Sequence, residues 1–171
     1  MGKVITIVGP HGVGKTTLFK YAKEKGEFET FDGFKINCGY KTSFDNIQKL
    51  YFEKVKEQNL RILNGKKDGL VIRSMEEILF FYEFTENHIS FNIPYELFSN
   101  KIIYIDAKES ILKQRCENDY FSNKHNREIW YQKYFRKFSE YWKKYPNLYL
   151  IDTSNLTTQE TYEKIKELIH Y

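Results

Sequence analysis

The sequence predicts an α/β fold: a five-stranded parallel sheet with helices on both faces, in a three-layer α/β/α arrangement. Three observations predict it. Short apolar runs rich in Val and Ile recur along the chain, as expected of strands buried on both faces. Amphipathic stretches with apolar residues three to four apart separate those runs, which is the alternation of a parallel sheet with crossover helices. The first run breaks into a glycine-rich turn, and helix-forming composition follows at once.

Each element can be justified in order. Lys3–Val8 (KVITIV) is the first strand, and Thr17–Lys25 is a helix stopped by Gly26. The mixed segment Phe28 to Cys38 holds a second strand. From Phe44 to Leu63, Ile47, Leu50, Tyr51, Val55 and Ile62 recur at helical spacing between Lys, Glu and Gln. The loop NGKKDG leads to a third strand, Leu70–Arg73, and Met75–Phe84 is the next helix. Lys101–Asp106 (KIIYID) is the fourth strand, with a helix over Ser110–Tyr120. A long amphipathic helix follows, in which Ile129, Trp130, Tyr134, Phe138, Tyr141 and Trp142 form a stripe best read as core. Leu148–Asp152 is the fifth strand and Thr158–Ile169 the closing helix. No repeat, low-complexity tract or linker interrupts this order, so residues 1–171 are expected to form one domain.

Composition narrows the classes. Hydrophobic content of 41% and aromatic content of 18% exclude a disordered tail. No run approaches the roughly 18–20 apolar residues of a membrane span, and Val4 to Val8 is too short for a signal-peptide core. Cys38 and Cys116 lie far apart without metal-ligand spacing and read as reduced, buried thiols. A cytoplasmic location and no membrane partner are therefore expected. The net charge is +4, carried by 22 Lys and only 5 Arg. Where Lys is the default cation, each Arg invites the question of what needs a planar, bidentate fork.

The turn after the first strand reads Gly9-Pro10-His11-Gly12-Val13-Gly14-Lys15-Thr16-Thr17, the G-x-x-x-x-G-K-[ST] phosphate loop, or Walker A pattern. Glycines let successive N–H groups converge on one anion, and the helix that follows aims its positive end at the same point. Lys15 can reach the β- and γ-phosphates, and the Thr16 hydroxyl can complete a Mg²⁺ shell. These nine residues are expected to bind ATP. A guanine-specific switch would carry Asn-Lys-x-Asp after a strand; Asn100-Lys101 continues with Ile102 and Ile103, and Asn123-Lys124 with His125 and Asn126, so neither pair completes the motif.

Three further stretches carry a resemblance. DGLVIRSMEEILFFYEFTENHIS, YIDAKESILKQR, and HNREIWYQKYFRKFSEYW followed by LYLIDTS are similar, in order and spacing, to segments of the thymidylate kinase and deoxynucleoside kinase group. The resemblance spans nearly the whole chain, and it implies a P-loop NTPase fold with a helical lid. It makes Arg73 a clamp on phosphate or acceptor hydroxyl. It makes Arg115 and Arg127 the brackets of a lid at about 115–127. It places Asp32 about where related kinases keep a base for a hydroxyl acceptor, though an Asp before Gly is equally a turn residue. Phe80, Phe81, Tyr82, Phe84, Phe91 and Tyr95 fall where the group has its acceptor pocket, most of them expected as core.

One departure stands out. The acidic residue that the resemblance leads one to expect directly before Arg73 is Ile72. Asp106 can replace it as an organiser of Mg²⁺, because the third and fourth strands both flank the first in this fold. Asp106-Ala-Lys-Glu109 also fits a helix capping box. Glu76 and Glu77 are expected on a helix surface.

The resulting expectation is an ATP- and Mg²⁺-dependent phosphotransferase acting on a small acceptor such as a nucleoside or nucleotide. Lys15, Arg73, Arg115, Arg127 and Asp32 are its catalytic residues, and Thr16 and Asp106 its metal residues. Two alternatives remain at this point: a nucleotide-binding regulator without phosphoryl transfer, and an RNA-binding ATPase using the Lys-rich surface. A nucleic-acid partner is not expected, since a solvated Lys face is the commoner arrangement. The sequence is compatible with a homodimer.

Overall fold

The computed structural model describes residues 1–10, 12–31, 43–117 and 136–170. Five strands, β1 (Val4–Val8), β2 (Glu29–Thr30), β3 (Gly69–Val71), β4 (Lys101–Asp106) and β5 (Leu148–Asp152), form one sheet in the order β2-β3-β1-β4-β5. Every pairing is parallel: Val4 lies opposite Gly69, Thr6 opposite Ile102, and Asp106 opposite Asp152. Six helices are described: α1 (Lys15–Lys25), α2 (Phe44–Leu63), α3 (Met75–Phe84), α4 (Glu109–Glu117), α5 (Arg136–Trp142) and α6 (Thr158–His170).

β1 lies in the middle of the sheet, and all five of its residues are buried. That explains why its sequence shows a continuous apolar run instead of alternation. Ile5 and Ile7 join Leu70, Ile103, Ile105 and Ile151 beneath α1 and α6, where Leu18, Ala22, Tyr162 and Ile165 complete one core. On the opposite face Ile102 and Tyr104 pack on Phe80 of α3 and on Phe138, Tyr141 and Trp142 of α5. Val4 and Val71 meet Ile62 of α2 there. The predicted aromatic stripe is thus core where it is described, with the Phe80 and Phe138 rings 5.1 Å apart at 89°. Phe80 and Tyr82 are buried, whereas Tyr95 is exposed.

Helix ends follow local chemistry. Ser43 and Ser74 cap α2 and α3 by accepting from the amides of Asn46 and Glu77. Thr157 and Glu160 cap α6 reciprocally, the Thr157 amide donating to Glu160 Oε2 at 2.7 Å and the Glu160 amide to Thr157 Oγ1 at 3.2 Å. α1 differs: its cap is Gly14, with no side-chain hydrogen bond and no acidic residue in the first turn. The first amides of a helix have no intrahelical acceptor, which is where an anion can bind.

Glu76 and Glu77 correct an expectation, because neither lies on the surface; they are 1% and 8% exposed. The Glu76 carboxylate accepts from the Ser99 amide at 2.7 Å and from Ser99 Oγ at 3.0 Å. Ser99 Oγ also shares a hydrogen bond with Thr6 Oγ1 at 2.5 Å. This buried chain ties α3 to β1 and to the entry of β4. Helical periodicity misleads here, because the first turn of α3 is enclosed on more sides than one helix face.

Candidate functional site

β1 ends at Val8, and the chain turns through Gly9 to Gly14 into α1. Gly9 has φ 154° and Gly14 φ 103°, both in the region that glycine alone adopts readily. At Gly9 the requirement is doubled, since a Cβ would collide with the carbonyl oxygen of Ile105 on β4. Lys15 Nζ donates to Gly9 O at 2.7 Å and Pro10 O at 2.9 Å, so the lysine lies across the loop it follows.

A cavity of about 700 Å³ opens over this loop. Gly9, Gly12, Val13, Gly14, Lys15, Thr16 and Thr17 line it; Pro10 does not, and His11 lies outside the described residues. The structure brings two distant arginines to the same cavity, Arg73 from the end of β3 and Arg115 from α4. Arg115 Nη1 donates to Val13 O at 3.1 Å, tying α4 to the loop across 102 positions of sequence. The Arg73 carbonyl accepts from Gln58 Nε2 at 3.1 Å, and its guanidinium lies over the Tyr51 ring at 5.8 Å. Thr153, Leu156, Thr158 and Thr161 line the cavity on the β5–α6 side. Phe138 lines it too, although its spacing marked it only as core.

Other sequence-selected residues are placed elsewhere. Asp106 is not among the lining residues. Its Oδ1 accepts the Ala107 amide at 2.8 Å, and its backbone carbonyl accepts the amide and hydroxyl of Thr153. The expected capping pair is replaced at that helix: Lys108 donates its amide to Ser154 Oγ and accepts from the Leu112 amide. Asp32, Arg127 and the expected lid beyond Glu117 lie outside the described residues.

Glu77, expected on a helix surface, instead lines the cavity. Arg73 Nη1 donates to its Oε1 at 2.7 Å. Burial pushes the Glu77 carboxyl above the usual range, while the charges of Arg73 and Lys15 pull it back. The available signal was the four-residue spacing from Arg73.

The donor set suits a hydrated Mg²⁺ carried by a polyphosphate. Among the described residues no cluster of three or more His, Cys, Asp or Glu side chains forms a metal cage. A P-loop metal needs none, because a hydroxyl, phosphate oxygens and waters supply most of its shell. Thr16 would provide that hydroxyl, and Glu77 is a carboxylate in the same cavity.

A glycine loop between a central strand and a helix, with Lys15, Thr16 and converging arginines, defines a P-loop protein. The sequence model of an AAA-domain family matches residues 5–135, and the chain belongs to that family. No curated protein matches it in sequence. Solved structures share its fold. Thymidylate kinase from Candida albicans superposes with a TM-score of 0.69 at 14% identity, over 99% of this chain and 91% of that one. Deoxyadenosine kinase from M. mycoides with bound dATP gives 0.69 at 14% identity, over 98% and 100%. The Bacillus subtilis YorR protein in complex with phosphorylated GDP gives 0.54 at 14% identity, over 98% and 95%.

Proposed function

We propose that this protein is an ATP-dependent phosphotransferase whose acceptor is a nucleoside, a nucleotide or a similar small molecule. The observation that carries this reading is the convergence of Lys15, Arg73 and Arg115 on one cavity over the glycine loop. Phosphoryl transfer passes through a loose transition state with charge spread over oxygen atoms, so catalysis is mainly positioning and electrostatic stabilisation. The loop amides and Lys15 grip the donor phosphates. Arg73 and Arg115 meet the charge that develops on the transferring group, and neither can lose its proton. Thr16 would hold Mg²⁺ together with the phosphates, and the ion would supply charge neutralisation on the donor. Arg127 and Asp32 keep the roles that the resemblance gives them, bracket of a lid and anchor or base for the acceptor hydroxyl. The likeness in fold to a thymidylate kinase and a deoxyadenosine kinase supports an acceptor of that class, and a cytoplasmic enzyme fits that chemistry.

The test is a panel of nucleosides and nucleoside monophosphates assayed for acceptor-stimulated ADP release. At least one should stimulate release, and Lys15→Ala should abolish it, lowering turnover by about 100-fold or more, with its circular dichroism unchanged. ATP binding with no stimulation by any acceptor would instead indicate a nucleotide-binding regulator. Turnover unchanged in folded Lys15→Ala would remove the assignment altogether.

A further inference from the structure

Glu77 has no part in the sequence-based catalytic set, and its surroundings set it apart. In a complete capping box the glutamate turns back to the amide of the capping serine. Only half of that box forms: the Glu77 amide donates to Ser74 Oγ at 3.3 Å, but the carboxylate turns to Arg73. Its second oxygen, Oε2, is buried and has no hydrogen-bond partner among the described residues. A buried carboxylate oxygen without a donor is costly, and such an atom in a native site calls for a ligand that completes it. The residue lines the same cavity as Lys15, Thr16 and Arg73, beside the Ile72 that stands where an acid is expected.

We propose that Glu77 is the working acid of this site, displaced from position 72 into the first turn of α3. This inference rests on reading the cavity as an ATP site. Oε1 fixes the direction of Arg73, and Oε2 accepts a hydrogen bond from a water of the Mg²⁺ that Thr16 and the phosphates hold. The charge pattern gives the reason for a metal. A carboxylate beside a polyphosphate repels it, and a hydrated divalent cation between them turns that repulsion into attraction. Glu77 thereby makes ATP binding depend on Mg²⁺, in a cavity whose three cations would otherwise hold free ATP.

The experiment measures ATP affinity by titration calorimetry, with Mg²⁺ and with EDTA, in wild type, Glu77→Gln and Glu77→Asp. Mg²⁺ should tighten ATP binding to wild type. Glu77→Gln should bind metal-free ATP several-fold more tightly than wild type and lose about tenfold of the Mg²⁺ enhancement. Glu77→Asp keeps the charge but withdraws the carboxylate. It should therefore retain wild-type affinity for free ATP and need more Mg²⁺ for half-maximal enhancement. A purely structural role predicts that Glu77→Gln melts at lower temperature and weakens both binding modes equally; an unchanged Mg²⁺ ratio would overturn the proposal while leaving the ATP site standing. Should Glu77→Gln not fold, an unchanged Mg²⁺ ratio and requirement in folded Glu77→Asp overturns it equally. A wild-type chain that binds no ATP overturns both this inference and the reading beneath it.

Discussion

Gly9 and Gly14 belong to one loop, yet different physics holds them. Gly9 combines φ 154° with a close approach to β4: a Cβ would meet Ile105 O and lie 3.1 Å from both Ile105 Cγ1 and Val13 Cγ1. Gly14 has φ 103° and open space, with nothing within 4 Å of the same position. Gly14→Ala should therefore cost only backbone strain, about 1–2 kcal/mol. Gly9→Ala must also displace a central strand and should cost about 3 kcal/mol or more. Urea denaturation of the two variants checks this, and equal losses would show that the contact with β4 does not matter. Glu76 and Glu77 make a similar contrast. One is satisfied by Ser99 and braces the fold; its neighbour faces Arg73 with an oxygen to spare. Adjacent identical letters could not reveal that difference, because a helix turns about 100° per residue and only the surroundings distinguish the two directions.

Among the helices, α2 and α3 are joined by a polar latch that neither shows alone. Asp45, in the first turn of α2, accepts from Tyr82 Oη of α3 at 2.6 Å and from Ser90 Oγ, and pairs with Lys49 at 2.9 Å. These donors, the Tyr82 hydroxyl first, hold the Asp45 carboxyl at about 2, below its ordinary 3.8. The sign follows from linkage. A depressed acid stabilises the fold fully above its unfolded value, and that contribution fades as pH falls from 3.8 towards 2. Tyr82→Phe removes the leading donor, so the melting temperature of the variant should fall less steeply than wild type over that acid range. Parallel slopes in melts taken at intervals of pH would show that the latch contributes nothing. The ranges of α2 and α3 agree with the sequence reading to the residue, since Ser43 and Ser74 mark their starts and the apolar spacing their lengths. β3 is shorter than expected, ending at Val71, because Ile72 and Arg73 leave the ladder to line the cavity.

Taken as one body, the molecule is a sheet whose central strand delivers the glycine loop, with β3 and β4 on either side delivering Arg73 and the approach to Arg115. A ligand gripped by residues from β1, β3 and α4 must stabilise the assembly they share. ATP with Mg²⁺ at about 100 times its dissociation constant should add about 2.7 kcal/mol, or roughly 5–10 °C in melting temperature for a chain of this size. Arg115→Ala should lose part of that shift and Lys15→Ala most of it, as thermal denaturation with and without nucleotide would show. Identical shifts in Arg115→Ala and wild type would mean that α4 takes no part in gripping the ligand. The sequence by itself determined the five strands, the alternating helices and the phosphate loop, because each is written in local periodicity, capping chemistry and a contiguous motif. Strand order agreed with expectation where the resemblance supplied it, β3 and β4 flanking β1. Only the tertiary structure decided which acid shares the cavity. Asp106 is the last residue of β4, and Glu77 follows the end of β3 in the first turn of α3; both strands flank β1. Yet the Asp106 side chain turns to the Ala107 amide, whereas Glu77 is carried inward by the first turn of α3 and held there by Arg73. Side-chain direction at a strand end depends on the turn that follows and on what packs against it, and neither is encoded in the spacing of residues along the chain.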